Sequence, residues 1–248
     1  MVNLVTPKQH LLMPVLYGRA YWKKVLNIDY ANLILYHPMN EAAGAIAIDK
    51  SSQGNDGAYT GVTLGQAGIG DGSTCPLFDG INDFNEIYSA GFAADFDGEE
   101  GTFAGWMKVS GVGVWTDGSH RRIVNILVDG NNSMIIYKNA GNNILTWAYK
   151  AGGATKTANT AGHSETGWIH VALTWSKAAD EAKYYENGSQ VGATANGLGA
   201  WVGAPIDNNT VIGASNVTPV NVWDGWLAHC AIWKTPLSAS DILKVGRL

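Results

Sequence analysis

Glycine interrupts this chain about once in every eight residues, 31 of 248 positions, where roughly 7% is ordinary. Each glycine inside a helix costs about 1 kcal/mol relative to alanine. The charged helix formers are also scarce, at 15% Asp, Glu, Lys and Arg against about 25% in an average domain. A bundle or coiled coil is therefore excluded, and 46% hydrophobic residues exclude disorder. What remains is an all-β chain of short strands and tight turns. Its length fits one large domain or two small ones, burying roughly 70–75% of the unfolded surface.

The chain divides into two parts. Residues 1–31 carry helical signals, with Thr6 then Pro7 as a cap and first-turn proline, while Pro14 and Gly18 keep any helix short. From residue 32 the texture changes to apolar runs cut by Gly and Asn. These runs predict strands at Leu33–Tyr36, Thr102–Val109, Ile123–Val128, Ser133–Tyr137, Ile144–Tyr149, Trp168–Trp175, Ala182–Glu186, Thr210–Ile212 and Trp226–Trp233. Spacing of this kind predicts an antiparallel two-sheet β-sandwich, or jelly roll, with under about a tenth of helix. Asn187-Gly188 predicts a type I′ hairpin, because both positions favour positive φ. Ser238-Ala-Ser-Asp241 followed by Ile242–Val245 and Gly246 predicts one short C-terminal helix. In Trp168–Trp175 the residues Ile169, Val171, Leu173 and Trp175 share the core face. In Leu227–Trp233 both faces are apolar, with Ala228, Cys230 and Ile232 opposite Leu227, His229, Ala231 and Trp233; the strand is expected to be central and covered on both sides.

Charge narrows the partners. Sixteen basic against 21 acidic residues give net −5, and the bases are scattered, with only Lys23-Lys24 and Arg121-Arg122 adjacent. No footprint for nucleic acid follows. No apolar run reaches the roughly 18 residues of a membrane helix. The first ten residues lack a basic region, and prolines break the apolar stretch, so no secretion signal is expected. Cys75 and Cys230 are too few for a disulfide framework or a zinc site and are expected as buried thiols in a chain folded in the reducing cytoplasm.

Four ordered segments resemble the laminin-G-like, concanavalin A-like jelly roll, the pentraxin-related lectin and glucanase architecture. The first is Leu35-Tyr-His-Pro-Met-Asn-Glu41 with Gly44 and Asp49-Lys-Ser-Ser-Gln-Gly-Asn-Asp-Gly57. The second is Phe78-Asp-Gly-Ile-Asn-Asp-Phe84 with Thr102–Lys108, and the third Trp168–Trp175 with Tyr185-Glu-Asn-Gly188. The fourth joins Ile212-Gly213, Asp224–Trp233 and Leu237–Ile242. The resemblance covers residues 32–248 as one domain and leaves 1–31 outside as an N-terminal arm.

The resemblance brings a structural calcium ion into view, since relatives often hold one at the sandwich edge. Asp49 and Asp224 match its carboxylate positions, with Asn55 or nearby carbonyls completing an oxygen shell. The same residues read equally as turn caps. It also implies sugars, which stack on exposed aromatics beside Asp and Asn acceptors. Trp115 with Asp117, and Trp201 with Asp207 and Asn208, lie in glycine-rich segments that fit such a rim, or plug the ends of the sandwich. For catalysis, glycanases of this architecture alternate carboxylates on one strand. Asp95-Phe-Asp-Gly-Glu-Glu100 is the local approximation, and its Gly98 makes it a loop. No catalytic residue is assigned, and His170 and His229 are expected to be structural.

Leu11, Leu12, Leu16, Tyr21 and Trp22 give the arm enough apolar surface to dock on a partner or a sister subunit, or to pack across its own sandwich. The resulting expectation is a non-enzymatic structural or adhesive protein. Its concrete form is a bacteriophage virion component (head decoration, cement or fibre-type adhesin), homo-oligomeric, assembled in the host cytoplasm and touching other virion proteins and surface glycans. The alternatives are a free carbohydrate-binding protein and an acidic glycanase.

Overall fold

The computed structural model describes residues 21–248. The strands are β1 (Leu33–His37), β2 (Ile46–Ala47), β3 (Gly57–Thr60), β4 (Thr63–Ala67), β5 (Thr74–Asp79) and β6 (Phe84–Glu86). They continue with β7 (Glu100–Val109), β8 (Arg121–Asp129), β9 (Asn132–Lys138), β10 (Leu145–Ala151) and β11 (Ala154–Asn159). The last are β12 (Ile169–Ser176), β13 (Glu181–Glu186), β14 (Ser189–Ala195), β15 (Thr210–Ile212) and β16 (Asp224–Trp233). Three short helices accompany them: α1 (Tyr21–Leu26), α2 (Ala90–Asp95) and α3 (Ala239–Val245).

Two antiparallel sheets face each other. The first runs β14-β13-β12-β7-β16-β5-β4, with β1 also paired to β16; the second runs β11-β10-β9-β8-β15-β6-β3-β2. All nine strands expected from the apolar runs are present. The short strands β2 to β6 and the polar β11 and β14 carry no such run. Asn187 and Gly188 have φ of 50° and 79°, as the hairpin requires. Ser238 caps α3 by accepting from the Asp241 amide.

Ile169, Val171, Leu173 and Trp175 all enter the core between the sheets, as expected. Strand β16 is central and buried on both faces, but its alternation is not the simple one. Leu227, Cys230 and Ile232 face the core between the sheets, while Ala228, Ala231 and Trp233 face the other way. A β-bulge causes the change of phase: His229 takes φ of 52°, and the pairing with β7 skips from Ala228 to Ala231. Cys75 and Cys230 are buried free thiols, and burial pushes both thiol pKa values up to about 12.

A second apolar cluster covers the outer face of the first sheet and includes residues from α1 and α3. The Tyr21 hydroxyl donates to Val245 O at 2.5 Å, and its ring meets Trp106 edge-on. Val25 and Ile28 are buried, and Trp233 Nε1 donates to Ile28 O at 2.9 Å. Residues 21–31 thus belong to the body of the sandwich. This corrects the boundary at residue 32 and the assignment of Tyr21 to partner docking: a half-exposed helix this short is held only by its own buried face. Trp22 does face outward, 40% exposed. Leu11, Leu12, Leu16 and the Thr6-Pro7 cap lie outside the described residues.

Beneath this cover sits His170, fully buried and edge-on to Trp106 at 5.2 Å, with neither ring nitrogen hydrogen-bonded. Burial disfavours its charged form and drives its pKa down to about 3. Below pH ~6.5 the unfolded chain takes up a proton at this residue that the folded chain refuses until about pH 3, so stability falls with pH across that window. The slope from this one group is at most about 1.4 kcal/mol per pH unit. His170→Leu is expected to remove that share of the acid sensitivity, read as a flatter melting-temperature profile between pH 4 and 7; superimposable profiles would contradict it.

Candidate functional site

α1 and α3 cover the middle of the first sheet's outer face, while the outer face of the second sheet has no helix on it among the described residues. Strands β9 and β10 send Met134, Ile136, Leu145, Trp147 and Tyr149 inward. By alternation Ser133, Ile135, Tyr137, Thr146, Ala148 and Lys150 face outward, beside the exposed Thr155, Thr157 and Asn159 of β11. Apart from Ile135 and Tyr137, these are small or polar side chains. At its β6–β15 wing the 214–222 loop folds over Phe84 and Val211.

Where β8 begins, charges and rings gather. Asp117 accepts from Arg121 Nε at 2.5 Å, from Lys138 Nζ at 2.5 Å and from the Ser119 amide at 2.9 Å. Burial raises the Asp117 pKa, but Lys138, Ser119 and Arg121 together outweigh it and hold the carboxyl below its usual range. Lys138, whose side chain is wholly buried, also donates to Ser119 O at 2.9 Å. Arg121 continues outward, donating to Val222 O at 2.8 Å and lying 3.7 Å from Asp224, which in turn accepts from Ser110 Oγ. Above this lattice a polar pocket of about 330 Å³ opens among Gly80, Ser119, His120, Arg121, Ala140 and Asn221. From this pocket His120 reaches the outer face of the sheet, where it meets the Tyr137 ring edge-on at 5.4 Å and Arg122 Cζ lies 4.5 Å from the same ring centroid. His120 Nδ1 accepts from the Ala140 amide at 3.2 Å. Burial, then the charges of Arg122 and Lys138, lower the His120 pKa and favour its neutral form.

The residues singled out in the sequence distribute unevenly around this pocket. Asp117 and Asp224 come together through Arg121. Trp115 does not form a rim: it is buried, stacks on His163 at 4.7 Å and donates to Glu165 O at 2.8 Å. Trp201 is buried too, packed against Phe96 and Tyr149 with its Nε1 on Gly203 O. Both close the sandwich interior, because an indole recovers more free energy from burial than a loop gains by exposing it. Asp207 lies against Glu86, whose carboxyl is pushed up by burial and then by Asp207, and Asn208 is a turn residue with φ of 65°. Neither lines the pocket. His120, Arg122 and Tyr137 were not singled out; the adjacent pair Arg121-Arg122, and the outward phase of Tyr137 against Ile136, were the available signals.

The calcium set does not assemble. The Asp49 carboxylate accepts from the Tyr36, Ser51 and Asn55 amides and the Ser51 hydroxyl, at 2.5–2.8 Å. Asn55 spends its side chain on Ile34 O, Asp95 and Ser89. Tyr36 pairs with Ala231, seven residues along β16 from Asp224, so Asp49 and Asp224 stand roughly 20 Å apart. Asp49 and Asn55 are turn anchors, and Asp224 belongs to the Arg121 lattice. Among the described residues, His163, Glu165 and Glu186 have metal-ligand spacing. Both His163 nitrogens are already engaged, with Glu165 at 2.6 Å and Thr160 at 2.8 Å. The acidic run 95–100 leads into β7 as a loop, with Asp97 accepting from the Glu99 amide.

A polar sheet face with a charged pocket and an aromatic cluster beside it, on a sandwich of this topology, defines a lectin-like jelly roll. The family model of the concanavalin A-like lectin/glucanases superfamily matches residues 82–243, and the chain belongs to that family. Among solved structures it is similar to the binding domain of botulinum neurotoxin serotype D, at 15% identity and TM-score 0.59, over 89% of this chain and 52% of that one. It is also similar to domain 4 of AbnA, an extracellular arabinanase from Geobacillus stearothermophilus, in complex with arabinotriose: 14% identity, TM-score 0.64, over 87% and 98%. The Trypanosoma rangeli sialidase in complex with sialic acid matches at 12% identity and TM-score 0.63, over 87% and 33%. The chain spans about half the length of the neurotoxin structure, and at these identities the likeness is one of fold. No curated protein sequence matches it.

Asp49→Asn is expected to cost about 2 kcal/mol through its lost amide contacts, and equally in excess calcium and excess EDTA. A calcium-dependent melting shift that this substitution abolishes would restore Asp49 as a ligand.

Proposed function

We propose that this chain is a non-enzymatic glycan-binding module whose ligand sits on the outer face of the second sheet, against His120, Arg122 and Tyr137. One observation carries the reading: a half-buried tyrosine on the outer face of the second sheet is braced by an arginine and by a histidine that also lines a polar pocket. Flat rings take the apolar face of a pyranose, while Asn221, Ser119 and His120 supply donors and acceptors for its hydroxyls. Two of the structures similar in fold are in complex with arabinotriose and with sialic acid. For hydrolysis, the pocket has no free carboxylate pair: Asp117 and Asp224 are both tied to Arg121. The chain is screened on a glycan array, with a reducing-sugar assay run in parallel. Tyr137→Ala is expected to lose binding by about tenfold or more while keeping its melting temperature, with no turnover by either protein. Turnover, or binding that Tyr137→Ala leaves intact, would overturn the reading.

A second reading makes the same module an assembly component, a bacteriophage head-decoration, cement or fibre-type protein that binds other virion proteins or its own copies. Its support is Trp22, 40% exposed beside a cavity of about 370 Å³ lined by Leu26, Pro38, Asn40 and Lys50. Exposed tryptophan beside an apolar recess is a common interface anchor. Under this reading Trp22→Ser lowers the oligomeric state in light scattering without unfolding the chain; an unchanged mass would count against it.

A further inference from the structure

Arg122 is a guanidinium held in position without an anion. Its main-chain amide donates to Asn221 O at 2.7 Å, its Nε to Ser215 Oγ at 3.2 Å, and its plane covers the Tyr137 ring. Asn221 Nδ2 donates to the same Ser215 hydroxyl at 2.9 Å, which fixes that acceptor in place. Among the described residues Arg122 forms no ion pair, and its two terminal nitrogens make no hydrogen bond yet are not sealed from solvent. Burial lowers its pKa, the mark of a cation short of hydration.

The surroundings do not supply the missing charge. Of the carboxylates nearby, Asp117 is already shared by Arg121 and Lys138, Asp224 is held by Arg121 and Ser110, and Asp79, opposite Asp224 on β5, accepts from the Ile81 amide. Arg121 and Lys138 are thus matched by Asp117 and Asp224, while no carboxylate among the described residues pairs with Arg122. Partial burial of a cation is costly unless an opposite charge returns the lost hydration. The planar fork of terminal nitrogens fits a carboxylate in two parallel hydrogen bonds.

We infer that the ligand of this face bears a carboxylate, an acidic sugar of the uronic or sialic acid type, seated on the Arg122 fork with its ring against Tyr137 and His120. The inference rests on the glycan-binding reading and adds the class of sugar. Arg122 sets the specificity, and Asp117 and Asp224 together offset Arg121 and Lys138.

The full chain is titrated by calorimetry with two matched pairs, methyl glucuronide against methyl glucoside and N-acetylneuraminic acid against N-acetylmannosamine. The expected result is that at least one acid binds about tenfold or more tighter than its neutral partner. Arg122→Gln is expected to erase that preference and Arg122→Lys to keep only part of it, both with melting temperatures close to the parent. Neutral sugars that bind as well as the acids, with Tyr137→Ala weakening both and Arg122→Gln weakening neither, would overturn the inference and leave the glycan reading standing. Sulfated sugars binding more tightly than either acid would overturn the carboxylate assignment. Failure of every sugar to bind would overturn both readings together.

Discussion

From Leu227 to Trp233 every residue of β16 is buried, and the strand must serve two apolar layers at once. A regular strand would divide its residues by strict alternation. The bulge at His229 breaks that alternation and lets Leu227, Cys230 and Ile232 reach one layer and Ala228, Ala231 and Trp233 the other. The left-handed backbone at His229 costs about 1–3 kcal/mol and persists only where neighbours over-determine it. They do: its amide donates to Pro38 O, its Nδ1 meets the Tyr36 hydroxyl at 2.8 Å, and its Nε2 lies 3.4 Å from Asp71. The Tyr21 ring packs on the imidazole at 4.5 Å. One polar side chain thereby sets the register of the central strand and fastens α1 onto the first sheet. With the middle of that face committed, the outer surface of the second sheet beside β9 and β10 is free to offer a ligand.

Two of the glycines are tied directly to buried tryptophans, Gly98 to Trp201 and Gly101 to Trp175. Trp115, Trp147, Trp175, Trp223 and Trp233 are all among the fully buried side chains. Where an indole is wedged against the backbone, the opposing residue gives up its own side chain. Gly98 shows the exchange: a Cβ there would stand 2.1 Å from the Trp201 ring, which occupies that space instead. Tyr149 closes the same corner, its hydroxyl donating to Gly98 O at 2.7 Å. Glycine beside tryptophan looks like loop in a sequence, which is why Trp115 and Trp201 read as an exposed rim. In three dimensions the pair is core.

Long apolar strands were legible because their periodicity is local. So were the Asn187-Gly188 hairpin and the Ser238 cap, which depend on residues within one turn of each other. The short strands β2 to β6 were not, since their pairing is decided by partners far along the chain, as Ala58 with Glu86 and Thr63 with Leu77. The bulge at His229 was equally hidden, because nothing in Leu227–Trp233 distinguishes a shifted phase from a regular one. The pocket was half visible. Asp117 and Asp224 drew attention separately, one for sugar and one for calcium. The side chain that joins them, Arg121, was noted only as half of a basic pair.

The floor of that pocket returns to the motif that first suggested the family. Gly80, in Phe78-Asp-Gly-Ile-Asn-Asp-Phe84, adopts φ of 80° and lines the pocket. A Cβ at this position would lie 2.7 Å from Arg121 Nη1 and 3.0 Å from Asp224 Cβ. Any side chain would drive the guanidinium from Asp224 and so disturb Asp117, Lys138 and the pocket above them. The turn needs glycine for its backbone, and the ion lattice needs the same glycine for room. A residue that marks the fold in sequence therefore also holds the site open. Because Asp117 is fixed from three sides before any ligand arrives, the ordering of the pocket is completed during folding, and binding spends little of its free energy on immobilising the walls.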